Sequence, residues 1–337
     1  MRPRIIVQSI ALVSGVVACV GATDLPFDWV TVGDPGNRAA TFDEGSFSNE
    51  GRGSVDYAYR LSRTEVTVAQ HRAFLVAIEP FVDDWSDDVR SVQEWFGQRM
   101  NTSLQITPGW ENAATTMSYY TAARFCNWLH NGQVSEAWAF ESGAYDVASF
   151  GTFDADGIAT DRLIRQEGAR FWIPNRDEWI KGVFWDPTKD GEGGYWTFPD
   201  GSDTALVPGF PGYPGAQTSA GPGDWNNPLY TIPIDAGSYP GTASFWGVLD
   251  ASGGSSEWIE ASQLLSFGPF VDGTGSNRSP TNSFILGDRL SFVGDRTLRP
   301  RDVFFGLRLA SQVPSPGVVT IAIGALCCVR WNRRIGV

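Results

Sequence analysis

The stretch from Asp186 to Gly241 is dense in Gly, Pro, Asp and Asn, and includes Pro187, Gly193-Gly194, Pro199, Pro211 and Pro222-Gly223. Proline removes a backbone donor and glycine frees φ, so this stretch cannot sustain long regular elements. A loop of that length inside a compact domain is usually functional, or is held by ions and aromatic packing. Tyr195, Trp196, Phe198, Phe210, Tyr213, Trp225 and Tyr230 supply rings for such packing. The whole chain has the same character, with 38 Gly and 20 Pro beside 14 Trp, 21 Phe and 9 Tyr in 337 residues. Large flat side chains must pack against turn-rich backbone, which excludes a long-helix bundle. The 42% apolar content is enough to bury a sizeable core.

The formal charge is -13, and Lys and Arg are not concentrated outside the two ends. Phosphate backbones would be repelled, so nucleic acid is not an expected partner. The acidity suits either the solubility of an extracellular protein or the binding of cations.

Both ends read as export signals. Met1-Arg2-Pro3-Arg4 precedes an apolar run from Ile5 to Val20, the basic and hydrophobic regions of a signal peptide. Val20 and Ala22 fit a signal-peptidase site that makes residues 1–22 the signal and Thr23 the first mature residue. Val16-Val17-Ala18-Cys19 fits a lipobox, so lipidation at Cys19 is the alternative. At the other end, residues 313–337 comprise Val313-Pro314-Ser315-Pro316, an apolar run from Gly317 to Val329, and then Arg330, Arg333 and Arg334. This segment resembles a PEP-CTERM-type sorting tail, with Ser315 where that signal has Glu. The resemblance implies sorting and processing machinery as a partner and at least transient membrane anchoring. A plain C-terminal transmembrane anchor is the alternative, although the run is shorter than the roughly 20 residues of a comfortable span.

Between the ends, residues 23–312 show no strong repeat, long linker or sustained heptads, so one domain is expected. The spacing predicts three short helices. The first starts after Thr67, with Gln70 completing a capping box, and carries His71, Phe74, Leu75 and Ile78 on one face up to Pro80. The second follows Ser118, with Ala122, Phe125, Cys126 and Leu129 on one face and Asn131-Gly132 as its stop. The third follows Pro174, with Asn175 as cap and Glu178 at the third position. Tyr57 to Leu61 and Phe304 to Leu309 read as strands.

Five segments in order resemble the formylglycine-generating-enzyme family, also called the sulfatase-modifying-factor domain. Arg63-Thr64-Glu65-Val66-Thr67-Val68 resembles its early Glu-Val-Thr-Asn signature, and Met117 to Ala123 with Trp128 resembles its second helix. Arg170-Phe171-Trp172-Ile173-Pro174-Asn175-Arg176-Asp177-Glu178-Trp179 is similar to its Arg-Leu-Pro-Thr-Glu-x-Glu-Trp block. Trp246 to Trp258 resembles its Gly-Leu-x-Asp-Met-x-Gly-Asn-Val-x-Glu-Trp block, and Gly306-Leu307-Arg308 its closing Gly-Phe-Arg. Phe27 to Pro35 and Trp128-Leu129-His130-Asn131-Gly132 are similar to an exported subset with PEP-CTERM-like tails. The resemblance implies an α+β, loop-rich variant of the C-type-lectin fold with little regular secondary structure.

Active family members oxidise a substrate cysteine with dioxygen, using two late cysteines that hold copper(I). The corresponding stretch here, about 288–305, has no Cys, and Cys126 is the only cysteine between residues 23 and 312. Copper is therefore not expected, no catalytic residue is assigned, and Cys126 reads as core. Iron-dependent relatives use a histidine set, whereas His71 reads as helix core and His130 as a helix-end residue. The resemblance also implies a structural calcium, with carboxylates from Asp250 and Glu257 and backbone oxygens from Gly253 and Ser255. An ordinary Glu257 salt bridge is the alternative. Asp154-Ala155-Asp156-Gly157 with Asp161 has a passing likeness to a calcium loop and reads as a solvated Asp-Gly turn. The expected function is that of an exported cell-envelope protein with a catalytically degenerate domain. It would serve binding or structure, with an extracellular ligand or envelope component as partner. An enzyme of the same fold with unrecognised, oxidoreductase-like chemistry is the alternative.

Overall fold

The computed structural model describes residues 25–82, 99–101, 103–155, 160–220, 232–260, 290 and 305–314, together with short strands at 264–265, 268–269, 271–273 and 296–298. Residues 1–22, most of 313–337 and most of the 288–305 stretch lie outside the described residues, as do Asp156, Gly157, Trp225 and Tyr230. The architecture is mixed helix and sheet with long loops. The helices are α1 (Phe42–Asn49), α2 (Val68–Ile78), α3 (Tyr119–His130), α4 (Ala137–Glu141) and α5 (Arg176–Phe184). The strands of the principal sheet are β1 (Trp29–Val32), β2 (Tyr59–Ser62), β3 (Phe171–Trp172) and, last in the chain, Ala310–Gln312. Between β3 and that last strand come β4 (Trp185–Asp186), β5 (Gly194–Tyr195), β6 (Trp258–Ile259), β7 (Leu264–Leu265), β8 (Gly268–Pro269), β9 (Val271–Gly273) and β10 (Arg296–Leu298). The last strand is therefore β11.

The principal sheet has the order β1-β2-β11-β3, so the two ends of the domain are joined in one sheet. All of its neighbours are antiparallel, with Val30 opposite Leu61, Leu61 opposite Ala310, and Ala310 opposite Trp172. Those residues are buried and form the inner face, whereas Thr31 is exposed and Arg60 is half-buried on the outer one. This alternation is the period-2 pattern of a sheet with one covered face, except that Ser62 and Ser311 on the outer side are also buried.

The three expected helices form where the caps place them. Thr67 and Gln70 make a reciprocal capping box at α2, and Asn175 and Glu178 make another at α5. Each satisfies two backbone donors that a helix start leaves open. Ser118 caps α3, and Gly132, at φ 73°, ends it. Burial on α3 extends beyond the expected face and includes Tyr119, Tyr120, Thr121, Asn127 and Trp128. The buried Asn127 amide donates to the carbonyls of Phe140 and Tyr145, both at 3.0 Å, so this polar side chain is covered with its donors met. Phe74 of α2 meets Phe125 and Trp128 of α3 and Phe140 of α4 at ring distances of 5.4, 5.8 and 5.9 Å.

The expected strand over Phe304 to Leu309 is displaced. Phe305 and Gly306 make only single bridges, to Met117 and Glu257, and regular pairing starts at Ala310. The side chain of Arg308 turns inward at this point, into a polar pocket that interrupts the ladder. In the Gly-rich loop, Tyr195 and Phe198 are buried, and Phe210 packs against buried Tyr239 and Ile234 in a second small cluster, whereas Tyr213 is 65% exposed. Among the described residues no helix is long and apolar enough to cross a membrane.

Candidate functional site

Arg308 is fully buried, and all five of its N–H groups are used. Nη2 lies 2.7 Å from Glu257 Oε1, and Nε is 3.1 Å from each oxygen of the same carboxylate. The remaining donors reach the carbonyls of Ser62 at 2.9 Å, Arg63 at 2.8 Å and Leu249 at 2.8 Å. Trp179 Nε1 donates to Glu257 Oε2 at 2.6 Å, so that carboxylate is fully engaged. Of the residues expected to hold calcium, Glu257 is thus the buried partner of Arg308, which is the salt-bridge alternative.

Asp250, Gly253 and Ser255 do lie together, on a loop bent by positive φ at Asp250 (57°), Gly253 (85°) and Gly254 (58°). The carboxylate that faces this loop is Glu65, 2% exposed, whose Oε1 accepts from the Ser255 amide at 2.9 Å. Glu65 Oε2 is buried with no hydrogen-bond partner. Gly254 makes room for it, because a Cβ there would stand 2.1 Å from Glu65 Oε1. A cavity of about 10 Å³, the size of one water or ion, is bounded by Glu65, Asp250, Gly254, Ser219, Asp235 and Arg99. Burial, then the charges of Asp250 and Glu257, push the Glu65 carboxyl well above the usual range, against the pull of Arg308. A cation in the cavity would relieve that strain. Among the described residues no three Cys, His, Asp or Glu side chains converge as a ligand set, so such a cation would rely on main-chain oxygens as well. Sequence reasoning passed over Glu65, although it stands in the Glu-Val-Thr segment already singled out.

A second cluster lies under a cleft of about 700 Å³ lined by Tyr57, Ile164, Arg165, Trp172, Glu260 and Gln312. Arg165 bridges two buried carboxylates, Glu178 at 2.9 Å and Glu260 at 3.0 Å, and its guanidinium stacks 4.6 Å from the Trp172 ring centroid. Tyr57 donates to Glu178 at 2.6 Å and Tyr145 to Glu260 at 3.0 Å. The Glu178 carboxylate also completes the α5 capping box, so its place is structural.

The other candidates are separated. Cys126 is fully buried, and burial together with the Glu260 charge pushes its thiol up, which disfavours the reactive thiolate. His71 is buried with Nδ1 2.9 Å from Thr115 Oγ1, and burial lowers it to about 3. The His130 ring accepts from the Arg170 amide at 3.1 Å instead of meeting helix-end carbonyls. Asp161 is buried rather than solvated, and it accepts from Tyr120 and from the Gly151 amide.

No protein-family model and no curated protein matches the sequence. Among solved structures, CarF aligns with a TM-score of 0.46 at 18% identity, over 86% of this chain and 99% of that one. Treponema denticola variable protein 1 aligns with a TM-score of 0.49 at 14% identity, over 85% and 95%. PvdO from Pseudomonas aeruginosa aligns with a TM-score of 0.45 at 16% identity, over 86% and 93%. Each is weak by both measures and carries no inference about chemistry.

Glu260 offers a direct test of the cleft's electrostatics. Burial is the largest cause that pushes its carboxyl from 4.5 up to about 7, with Arg165 opposing and the Glu178 charge adding. The folded protein keeps a proton that the unfolded chain releases, so this contribution to stability is complete below about pH 4.5 and lost as pH rises through about 7. Relative to Glu260→Gln, the native chain is expected to lose on the order of 3 kcal/mol between about pH 4.5 and about 7.5 in urea melts. A difference between the two proteins that is constant with pH contradicts the assignment.

Proposed function

We propose that this chain is an exported cell-envelope protein whose body is a catalytically degenerate relative of the formylglycine-generating enzyme on a C-type-lectin-like scaffold. On this reading the body binds or supports an envelope component and does not oxidise cysteine. The observation that carries the reading is Cys126, which is the only sulfhydryl of the 23–312 body and is buried in the core with its thiol pushed up. Copper(I) capture by thiolates needs two sulfurs in reach of one another and in the ionised form. The buried Glu257–Arg308 pair, which joins two of the family-like segments, supports use of these segments as framework.

The expected calcium is retained in this proposal with one ligand exchanged. Glu65 takes the place given to Glu257, beside Asp250 and the main-chain oxygens of Gly253 and Ser255. The unpartnered Glu65 Oε2 and the ion-sized cavity support this set. Calcium suits it because the donors are hard oxygens and the coordination is tolerant of geometry.

In thermal melts of the purified chain, calcium is expected to raise the Tm and a chelator to lower it, by about 2.7 kcal/mol of stability at a hundredfold excess over the Kd. Glu65→Gln abolishes the response, whereas Glu257→Gln destabilises the fold and keeps it. A Tm indifferent to calcium and chelator removes the site.

A sulfatase-type cysteine peptide incubated with the protein, copper, air and reductant is expected to remain unmodified by mass spectrometry. Loss of the peptide thiol with gain of an aldehyde, dependent on the protein, would overturn the degenerate reading.

A further inference from the structure

We infer that the outer face of the β1-β2-β11-β3 sheet is a docking surface for the anionic phospholipid headgroups of the membrane to which the tail tethers the body. The inference rests on the proposed C-terminal anchoring and deepens it. Thr31, Arg60, Ser311 and Phe171 stand opposite one another across the four strands; Ser311 is buried, Thr31 is exposed, and Arg60 and Phe171 are half-buried. The Trp29 ring lies 5.8 Å from that of Phe171, and the Arg60 guanidinium lies 4.8 Å above Trp29. Arg170 lies 5.7 Å from the Phe171 centroid. The face therefore presents two half-buried rings carrying two flat guanidinium groups.

The arginines distinguish this face from the rest of an acidic protein. Arg38, Arg52, Arg63, Arg124, Arg162, Arg165 and Arg308 each pair with a carboxylate. Among the described residues Arg60 and Arg170 pair with none; Arg72 on α2 also lacks a carboxylate partner, but of these three only Arg60 and Arg170 lie together against aromatic rings. Arg60 Nε donates to Ser311 Oγ and the Gln312 carbonyl, and Arg170 Nη1 to the His130 carbonyl. A guanidinium held over a ring complements a phosphate through the N–H groups that its internal hydrogen bonds leave over, and Trp is at home at the headgroup level. Placement favours lipid over a soluble polyanion. Gln312 ends the strand beside Arg60, and no more than about 18 Å of extended chain separates it from the apolar run that begins at Gly317. A body tethered by that run cannot keep this face far from the bilayer.

The test uses the full chain in vesicles, in a Cys19→Ser, Cys327→Ser, Cys328→Ser background. A fluorophore is placed at Thr31→Cys on the face or, as control, at Tyr213→Cys in the exposed loop, and a headgroup nitroxide serves as quencher. In vesicles containing phosphatidylglycerol, quenching is expected at position 31 and not at 213. With Arg60→Gln and Arg170→Gln together, the docked-to-undocked ratio is expected to fall roughly thirtyfold, about fivefold for each arginine near an anionic surface. Pure phosphatidylcholine should give the same loss. Equal quenching at both positions, or quenching at 31 that ignores lipid charge and both arginines, overturns the inference while leaving the anchor in place. A soluble acidic polysaccharide that binds the face, with no quenching at 31 in vesicles, also overturns it. A chain that does not float with vesicles at all defeats the anchoring reading and this one with it.

Discussion

The structure depends on one buried charge pair. Arg308 enters from the segment that leads into β11, and Glu257 comes from the loop that precedes β6. Their contact binds the sheet to the loops, because the same guanidinium also holds the carbonyls of Ser62, Arg63 and Leu249. Desolvating two charges is costly unless every donor and acceptor is met. Here the five donors are met and Trp179 takes the remaining acceptor, which fixes the position of α5 as well. Gly306 allows the approach, since a Cβ there would lie 3.0 Å from both Ser255 Cβ and the Thr115 carbonyl.

With Glu257 committed to Arg308, the other buried carboxylates face different circumstances. Glu178 and Glu260 share Arg165 and two tyrosine hydroxyls, so the cleft above them rests on a satisfied network. Glu65 has one backbone amide, an unmet second oxygen and Asp250 nearby. Burying such a group without a partner is unfavourable, so the Glu65 carboxyl is pushed up toward its protonated form. The two sites differ in that the cleft carboxylates are all partnered, whereas Glu65 Oε2 has no hydrogen-bond partner.

Local rules were legible in the sequence where they act over a single turn. The capping pairs Thr67 with Gln70 and Asn175 with Glu178 formed as their spacing required. The periodic apolar positions of α2 and α3 are buried, because both helices pack on their ring-bearing faces. Helix α1 was not legible, since its Gly45 and serines give it no apolar stripe. The last strand was misplaced because Arg308, read as part of a strand, instead needed a pocket of carbonyls that only the tertiary fold assembles. The same long-range fact decided the site. Glu257 and Asp250 are close in sequence and look like co-ligands, but Glu65 lies far upstream and reaches the loop only through folding. Spacing cannot reveal such a partner.

The claim that Glu257 and Arg308 form one structural unit is tested most directly by a double-mutant cycle with Arg308→Met and Glu257→Gln, read by urea unfolding. Each single change is expected to cost about 3–5 kcal/mol, because it leaves the other charge buried and alone. The double variant is expected to cost less than the sum, with a coupling of about 2 kcal/mol or more. Single costs that add to within about 0.5 kcal/mol in the double variant would contradict the account.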